Sequence, residues 1–294
     1  MGILDRFKGG SATVTAAVQS ADIVSGGTLD LSYEIGGELD DKRRGVIAGL
    51  TCIGTFITEE RGRDANGHPI ERDVRHEVKL HDEQQDLPLA VGSGLAQFKL
   101  PEDAAPSSKD AVEWQAWVQI DRGDSKSPID QIPLALRQPA GSADLTPDVT
   151  DAGLTLHGVP ASVRAGETVT GTVTVNVAED VKVSAVTIRL NRRRTYVSDP
   201  LTDYERDSLL IDTVIAHSIP YSAYQFLGVA EVDIFGHHSF EGGTPEQAPF
   251  SLTLPSDVGP STRYPYGEVD WWLDAVLDRR LHDDLTVAIP ITVL

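Results

Sequence analysis

The chain has 294 residues, 45 of them acidic and 25 basic, which gives a net charge of −20 and an isoelectric point near 4.6. A surface this negative repels nucleic-acid phosphates, so the composition excludes general nucleic-acid binding. The single cysteine, Cys52, cannot form an internal disulfide, which is typical of a protein in a reducing compartment. The length predicts about two domains.

The first ten residues are too short and too charged for a secretory signal, and no apolar run reaches membrane-spanning length. Ile3, Leu4 and Phe7 predict a short amphipathic turn that packs against the first domain and is too brief for stable membrane anchoring. We therefore predict a cytoplasmic protein without a stable membrane anchor.

Beyond this segment, apolar residues recur with a period of two. Residues 28–35 alternate leucine, tyrosine and isoleucine with polar side chains, and residues 168–177 alternate valine with threonine. This pattern is typical of half-buried antiparallel strands. Each stretch follows a turn, at residues 24–27 and 163–166, in which glycine supplies a positive φ.

Several motifs in the first half favour structural interpretations. Asn66–Gly67 predicts a β-hairpin between strands at 56–61 and 70–80. Asp64 begins like a calcium loop, but the third acidic ligand and the closing glutamate are missing. Lys42, Arg43 and Arg44 form a basic cluster in a turn.

Two groups of histidines are candidate metal ligands. His76 and His81 come close to the spacing of a zinc-protease helix, but five residues apart they diverge on a helix and face opposite sides of a strand. We predict a solvated strand there. His237 and His238 lie in a loop and are predicted to be polar residues without a specific role. A metal-dependent hydrolase that uses histidines as metal ligands is an alternative function.

The final strands of the chain occur twice. Residues 112–122 align without a gap with residues 269–279, and residues 132–136 with residues 289–293, at a constant offset of 157. A repeat of this length indicates a duplicated domain, and its strand pattern predicts two antiparallel β-sandwiches. The predicted segments are an N-terminal segment 1–12, a first sandwich 13–140, a linker 141–152 and a second sandwich 153–294.

All four tryptophans lie in the repeated segments. Alternation places Trp114 and Trp271 inside the sandwiches and Trp117 and Trp272 on the opposite, polar faces. An aromatic ring there is covered by another domain, a loop or a partner, or packs across strands. The sequence pattern allows both interpretations.

The repeated Asp-Arg pairs and an arginine cluster complete the candidates. Asp121–Arg122 and Asp278–Arg279 end equivalent strands, which indicates a structural role, and the Arg-Gly-Asp tripeptide starting at Arg122 predicts a turn. The arginine cluster presents charge on both faces of one strand. It predicts either internal salt bridges or contact with an acidic or phosphorylated partner. Its members are Arg189, Arg192, Arg193 and Arg194.

In each half of the chain, a glycine turn and a strand are followed by a Leu-Pro segment, Phe98–Pro101 or Leu252–Pro255, and then by an aromatic strand that ends in Asp-Arg. This order of elements resembles the arrestin-like domain. Arrestins carry two such domains in tandem, and among bacterial proteins the chain is most similar to the sporulation-control (stage zero, M) family. The resemblance implies a non-enzymatic adaptor or regulator that acts through protein contacts.

We therefore predict a cytoplasmic adaptor without catalytic residues, metal or cofactor, acting in control of sporulation or cell development. Homodimerisation is left open. The alternative is a β-sandwich module that binds a small molecule or a carbohydrate. The candidate partner-binding residues are Trp117, Trp272, Arg189, Arg192, Arg193 and Arg194.

Overall fold

A computed structural model describes residues 12–20, 22–39, 44–63, 68–121, 127–138, 144–196, 225–279 and 282–294. Every regular element in these ranges is a β-strand, which confirms the predicted all-β class. The chain divides into two compact units. The first contains Met1–Thr55 and His76–Gln138, and the second contains Phe56–Arg75 and Pro139–Leu294.

Two sheets form the sandwich of the first half. The strands are β1 (Thr13–Val18), β2 (Ile23–Val24), β3 (Thr28–Gly36), β4 (Gly45–Arg63), β5 (Pro69–Leu87), β6 (Gly92–Lys99), β7 (Val112–Asp121), β8 (Ile129–Leu134) and β9 (Leu136–Arg137). One sheet has the order β1-β3-β6 and the other has the order β5-β4-β7-β8, while β2 and β9 form a short parallel pair. The inward residues Leu29, Leu31, Leu50 and Val118 are fully buried, so the core lies between the two sheets.

The long strands β4 and β5 are neighbours in their sheet, as the hairpin prediction requires. The turn residues 64–67, including the calcium-loop candidate at Asp64, lie outside the described residues.

The second half repeats this architecture with a wider sheet. Its strands are β10 (Val149–Asp151), β11 (Leu154–His157), β12 (Ser162–Val163), β13 (Thr168–Val175), β14 (Val181–Val183), β15 (Ala185–Tyr196), β16 (Gln225–Phe235), β17 (His238–Phe240), β18 (Glu246–Thr253), β19 (Thr262–Tyr264), β20 (Gly267–Asp278) and β21 (Leu285–Val293). One sheet has the order β10-β11-β13-β18. The other has the order β12-β21-β20-β15-β16, with β19 paired to β20.

The sequence repeat is also a repeat of strand register. Trp114 lies opposite Leu134, and Trp271 lies opposite Ile291, which is the same pair shifted by the offset of the repeat. Trp114 and Trp271 are 3% and 2% exposed, as alternation predicts. The repeated strand register therefore places both tryptophans in equivalent core positions.

The predicted glycine turns are present. Gly26 has φ +74° and Gly166 has φ +80°, a backbone region that side chains with a Cβ rarely adopt. Each turn leads directly into a long strand of its sandwich, β3 or β13.

The second half of the predicted linker is structured. Val149–Asp151 forms β10, which pairs with β11, and the backbone N–H of Thr146 donates to the carbonyl of Val159 at 2.8 Å. These residues belong to the second sandwich because their hydrogen bonds, rather than an apolar pattern, tie them to it.

Candidate interaction surface

The outer face of the β15–β20 pair carries most of the candidate residues of the second unit. Three residues of β15 lie directly opposite three residues of β20 in the antiparallel register. Their neighbours Leu190 and Leu273 are fully buried, so the side chains of this set point away from the core. We call this set the β15–β20 outer face: Arg189, Asn191, Arg193, Asp270, Trp272 and Asp274.

Trp272 and Arg193 form a stacked pair on this face. The guanidinium carbon Cζ of Arg193 lies 4.8 Å from the centre of the Trp272 ring, within the range of a cation–π contact. The Nη2 of Arg193 also donates to Oδ2 of Asp270 at 2.8 Å. Asp270 therefore fixes the guanidinium over the ring, which holds the half-buried indole in one orientation.

The other end of the β15–β20 outer face is a polar network. Asn191 Nδ2 donates to Oδ2 of Asp274 at 2.6 Å, and Arg189 Nε lies 3.4 Å from Oε2 of Glu231 on β16. Burial raises the pKa of the Asp274 carboxyl, and the hydrogen bond from Asn191 and the charge of Arg189 only partly oppose that rise. Ionisation of the Asp274 carboxyl in the folded protein therefore carries a desolvation cost.

Replacing that carboxylate gives a test of its cost. An Asp whose pKa is raised on folding destabilises the fold above that raised pKa and has no effect below its ordinary value of 3.8. Asp274→Asn keeps the shape and the acceptor for Asn191, so we expect a higher Tm than wild type near neutral pH. The Tm difference should shrink as the pH falls and vanish below 3.8, and a difference that grows in acid would contradict this assignment.

The other two arginines of β15 point into the sandwich. Arg192 lies opposite Trp271 and Arg194 opposite Val269, the positions that Cys52 and Gly54 occupy in the first sandwich. Arg194 is only 5% exposed. The second copy therefore places guanidinium groups where the first copy has a thiol and a glycine.

Tyr264 on β19 faces these inward arginines. Burial raises the pKa of its hydroxyl, and Arg194, which donates a hydrogen bond to that oxygen, lowers the pKa in part, as does the charge of Arg192. In the first sandwich, burial raises the pKa of the Cys52 thiol to about 12, so that thiol stays protonated. One end of the second sandwich thus carries guanidinium groups where its counterpart carries a neutral thiol.

The arginine cluster is therefore not one continuous positive surface. Arg189 and Arg193 lie on the outer face beside Glu231 and Asp270, and this is the internal pairing that the sequence raised as one interpretation. Arg192 and Arg194 point to the opposite side of the sheet.

Trp117 has a different environment from Trp272. It lies directly opposite Gly49 on β4, and its ring covers that glycine so closely that a Cβ there would come within 2.2 Å of the ring. Its indole N–H donates to Oγ1 of Thr51 at 3.1 Å. Cross-strand packing, one of the two sequence-based interpretations, accounts for its position.

The histidines do not assemble a metal site among the described residues, where no group of three or more potential ligands occurs. The prediction of a solvated strand is wrong for His81, whose ring lies 5.5 Å from that of Trp114 and is 26% exposed. His238 pairs with Glu246 at 3.0 Å and lies against Phe235 and Phe240. His76 is half-buried and His237 is exposed.

The remaining candidates are structural or lie outside the described residues. Arg279 Nε donates to the carbonyl of Asp283 at 2.7 Å, which ties the end of β20 to the segment before β21. This contact agrees with the predicted structural role of the second Asp-Arg pair. Residues 1–11, 40–43 and 122–126 lie outside the described part of the chain, and with them the N-terminal turn, Lys42, Arg43 and the Arg-Gly-Asp tripeptide.

The strand order and the site define a two-sheet β-sandwich with a charged aromatic outer face. Residues 160–294 match the family described as arrestin (or S-antigen), N-terminal domain, which supports an arrestin-like family for this chain. A comparison with curated proteins finds no match. Within the described residues, no helix has the length and apolar character to cross a membrane.

Proposed function

We propose that the chain is a non-enzymatic adaptor or regulator that binds a partner protein through the β15–β20 outer face. The observation that carries the proposal is the stacked pair of Trp272 and Arg193 on an otherwise polar sheet face. Arrestin-like domains commonly bind other proteins, and the family match supports this class of function.

The physical argument concerns which residues stabilise complexes. Tryptophan and arginine dominate the binding energy of protein interfaces when they are central and held rigid. Here Asp270 holds Arg193, and Arg193 holds Trp272, so little side-chain freedom is lost on binding. Removing such an anchor costs about 2 kcal/mol or more, which corresponds to roughly 30-fold in affinity.

The charge of the chain indicates the chemistry of the partner. With a net charge of −20, association with a basic surface is favoured at long range and association with an acidic one is opposed. Because Arg189 and Arg193 already lie beside carboxylates, a phosphorylated partner would have to displace Glu231 and Asp270. We therefore propose a basic partner. The cytoplasmic location, which rests on the composition, and the role in sporulation or development, which rests on the sequence resemblance, are further parts of the proposal.

The test is affinity capture from the native cell with the tagged full-length chain, followed by quantitative mass spectrometry. Trp272→Ala and Arg193→Ala should each reduce the recovery of one captured protein about 30-fold, as the binding energy of the anchor given above implies. Thr170→Ala, an exposed change on the other sheet of the same sandwich, is the matched control and should retain it. Equal capture by all variants would contradict the proposal. A small molecule or carbohydrate that co-purifies with wild type and is lost in Trp272→Ala would favour the alternative function.

A further inference from the structure

Strand β6 forms an open edge of the first sandwich. It ends the sheet β1-β3-β6 and pairs with β3 alone among the described strands. The opposite edge differs, because the backbone N–H of Ala16 on β1 donates to Oδ2 of Asp130 on β8 at 2.7 Å. One edge of this sheet is therefore partly occupied by a side chain from the other sheet, and the other edge is not.

The backbone of β6 has free hydrogen-bonding groups along that edge. In an antiparallel pair, every second residue directs both of its backbone groups at the partner strand. The N–H of Leu100 donates to the carbonyl of Gly27 at 3.0 Å, so the same alternation turns the backbone groups of Ser93, Leu95 and Gln97 outward. A row of unpaired groups of this kind is a template for another strand.

This edge also lacks the usual protection. Natural edge strands are guarded by charges, prolines or bulges. The register of β6 against β3 is continuous, the strand has no proline, and its one charged residue, Lys99, lies at its end with Nζ on the carbonyl of Gly26. The exposed fractions of Leu89, Val91 and Leu95 are 45%, 58% and 54%. Apolar surface therefore accompanies the open backbone.

The neighbouring charges indicate the occupant. On the outer face of β3, Glu34 is exposed opposite Ser93, and Asp30 lies opposite Gln97, from which it accepts a hydrogen bond at 2.8 Å. A second copy of this chain would bring the same carboxylates and another net charge of −20 to the edge. A strand with basic side chains would instead meet opposite charge.

We propose that the β6 edge binds an extended segment of a partner protein as an added antiparallel strand, with one apolar residue opposite Leu95 and a basic residue two positions to either side of it. These three side chains would lie on the outer face, the apolar one over Leu95 and the basic ones near Glu34 and Asp30. This surface belongs to the first sandwich and does not depend on the β15–β20 outer face. Its test is therefore separate from that of the proposed function.

The probe is a fluorescent peptide of about nine residues with valine at its centre, lysine two positions to either side and threonine elsewhere, long enough for one strand. We expect it to bind the full-length chain, and to slow hydrogen exchange at the backbone N–H groups of Leu95 and Gln97. A peptide of equal charge in which proline replaces the central valine is the control for simple electrostatic attraction. It should bind at least about tenfold more weakly, because proline cannot donate to the ladder.

Variants locate the effect on the chain. Leu95→Lys should weaken binding about tenfold or more, because it replaces the apolar contact with a charge that repels the probe. Leu227→Lys, which adds the same charge at a leucine that is 59% exposed on β16, should bind as wild type does. Equal binding by Leu95→Lys and wild type, or no slowed exchange in β6, would overturn the proposal. Self-association of the full-length chain that Leu95→Lys abolishes would also overturn it, because the occupant would then be a second copy.

Discussion

Trp271→Ala is expected to lower the free energy of unfolding of the second sandwich by about 3–5 kcal/mol, the range for removing a fully buried large aromatic side chain. The neighbouring Trp272→Ala should cost about 1 kcal/mol, because it removes a half-buried ring and one cation–π contact. Trp271 is 2% exposed and lies among Val269, Leu273 and Ile291, so its truncation leaves a cavity in the core.

The measurement is urea unfolding of the full-length variants, followed by far-ultraviolet circular dichroism and tryptophan fluorescence. Trp114→Ala in the first sandwich is the matched repeat, since Trp114 occupies the equivalent register position and is 3% exposed. Similar losses for Trp271→Ala and Trp272→Ala would show that both rings are core residues. That outcome would also remove the basis for the β15–β20 outer face.

Gly49→Ala is expected to lower the free energy of unfolding of the first sandwich by about 1–3 kcal/mol, the usual cost of overpacking. A Cβ at Gly49 would meet the Trp117 ring at 2.2 Å, so the ring must leave its place and lose its hydrogen bond to Thr51. Gly45→Ala on the same strand is the matched control, because a Cβ there meets nothing within 4 Å.

A double-mutant cycle separates this clash from a general intolerance of alanine in β4. In a Trp117→Ala background, Gly49→Ala should cost much less than in wild type, which gives a coupling free energy of about 1–3 kcal/mol. Additive effects would show that the ring and the glycine do not share one space. Denaturant unfolding of the four proteins measures the cycle.

The sequence predicted much of the fold because its signals are local. A period of two determines which side chains share a face, and glycine at positions 26 and 166 determines the turns before β3 and β13. Trp114 and Trp271 are buried as alternation requires. These features depend on neighbours within a few residues, so no knowledge of the sheet order was needed.

The site was predicted only in part because its contacts join distant strands. Arg193 meets Asp270, and Asn191 meets Asp274, across a pairing between β15 and β20 that a period-two pattern does not specify. The available signal was the repeat, since equivalent strands in the two copies should pair alike. Its offset of 157 does not extend to β4 and β15, because the equivalent residues Cys52 and Arg192 are 140 positions apart, so the repeat alone does not place Arg192 and Arg194 opposite Trp271 and Val269.

By itself the sequence determined an all-β chain with two copies of one strand pattern, and the core tryptophan of each copy. Tertiary structure alone decided that Trp117 covers Gly49, that His81 lies against Trp114, and that Trp272 is held by Arg193. The physical reason is that burial follows from alternation within a strand, whereas the partner of an outward side chain depends on the register between strands. That register is set by the packing of the whole sandwich.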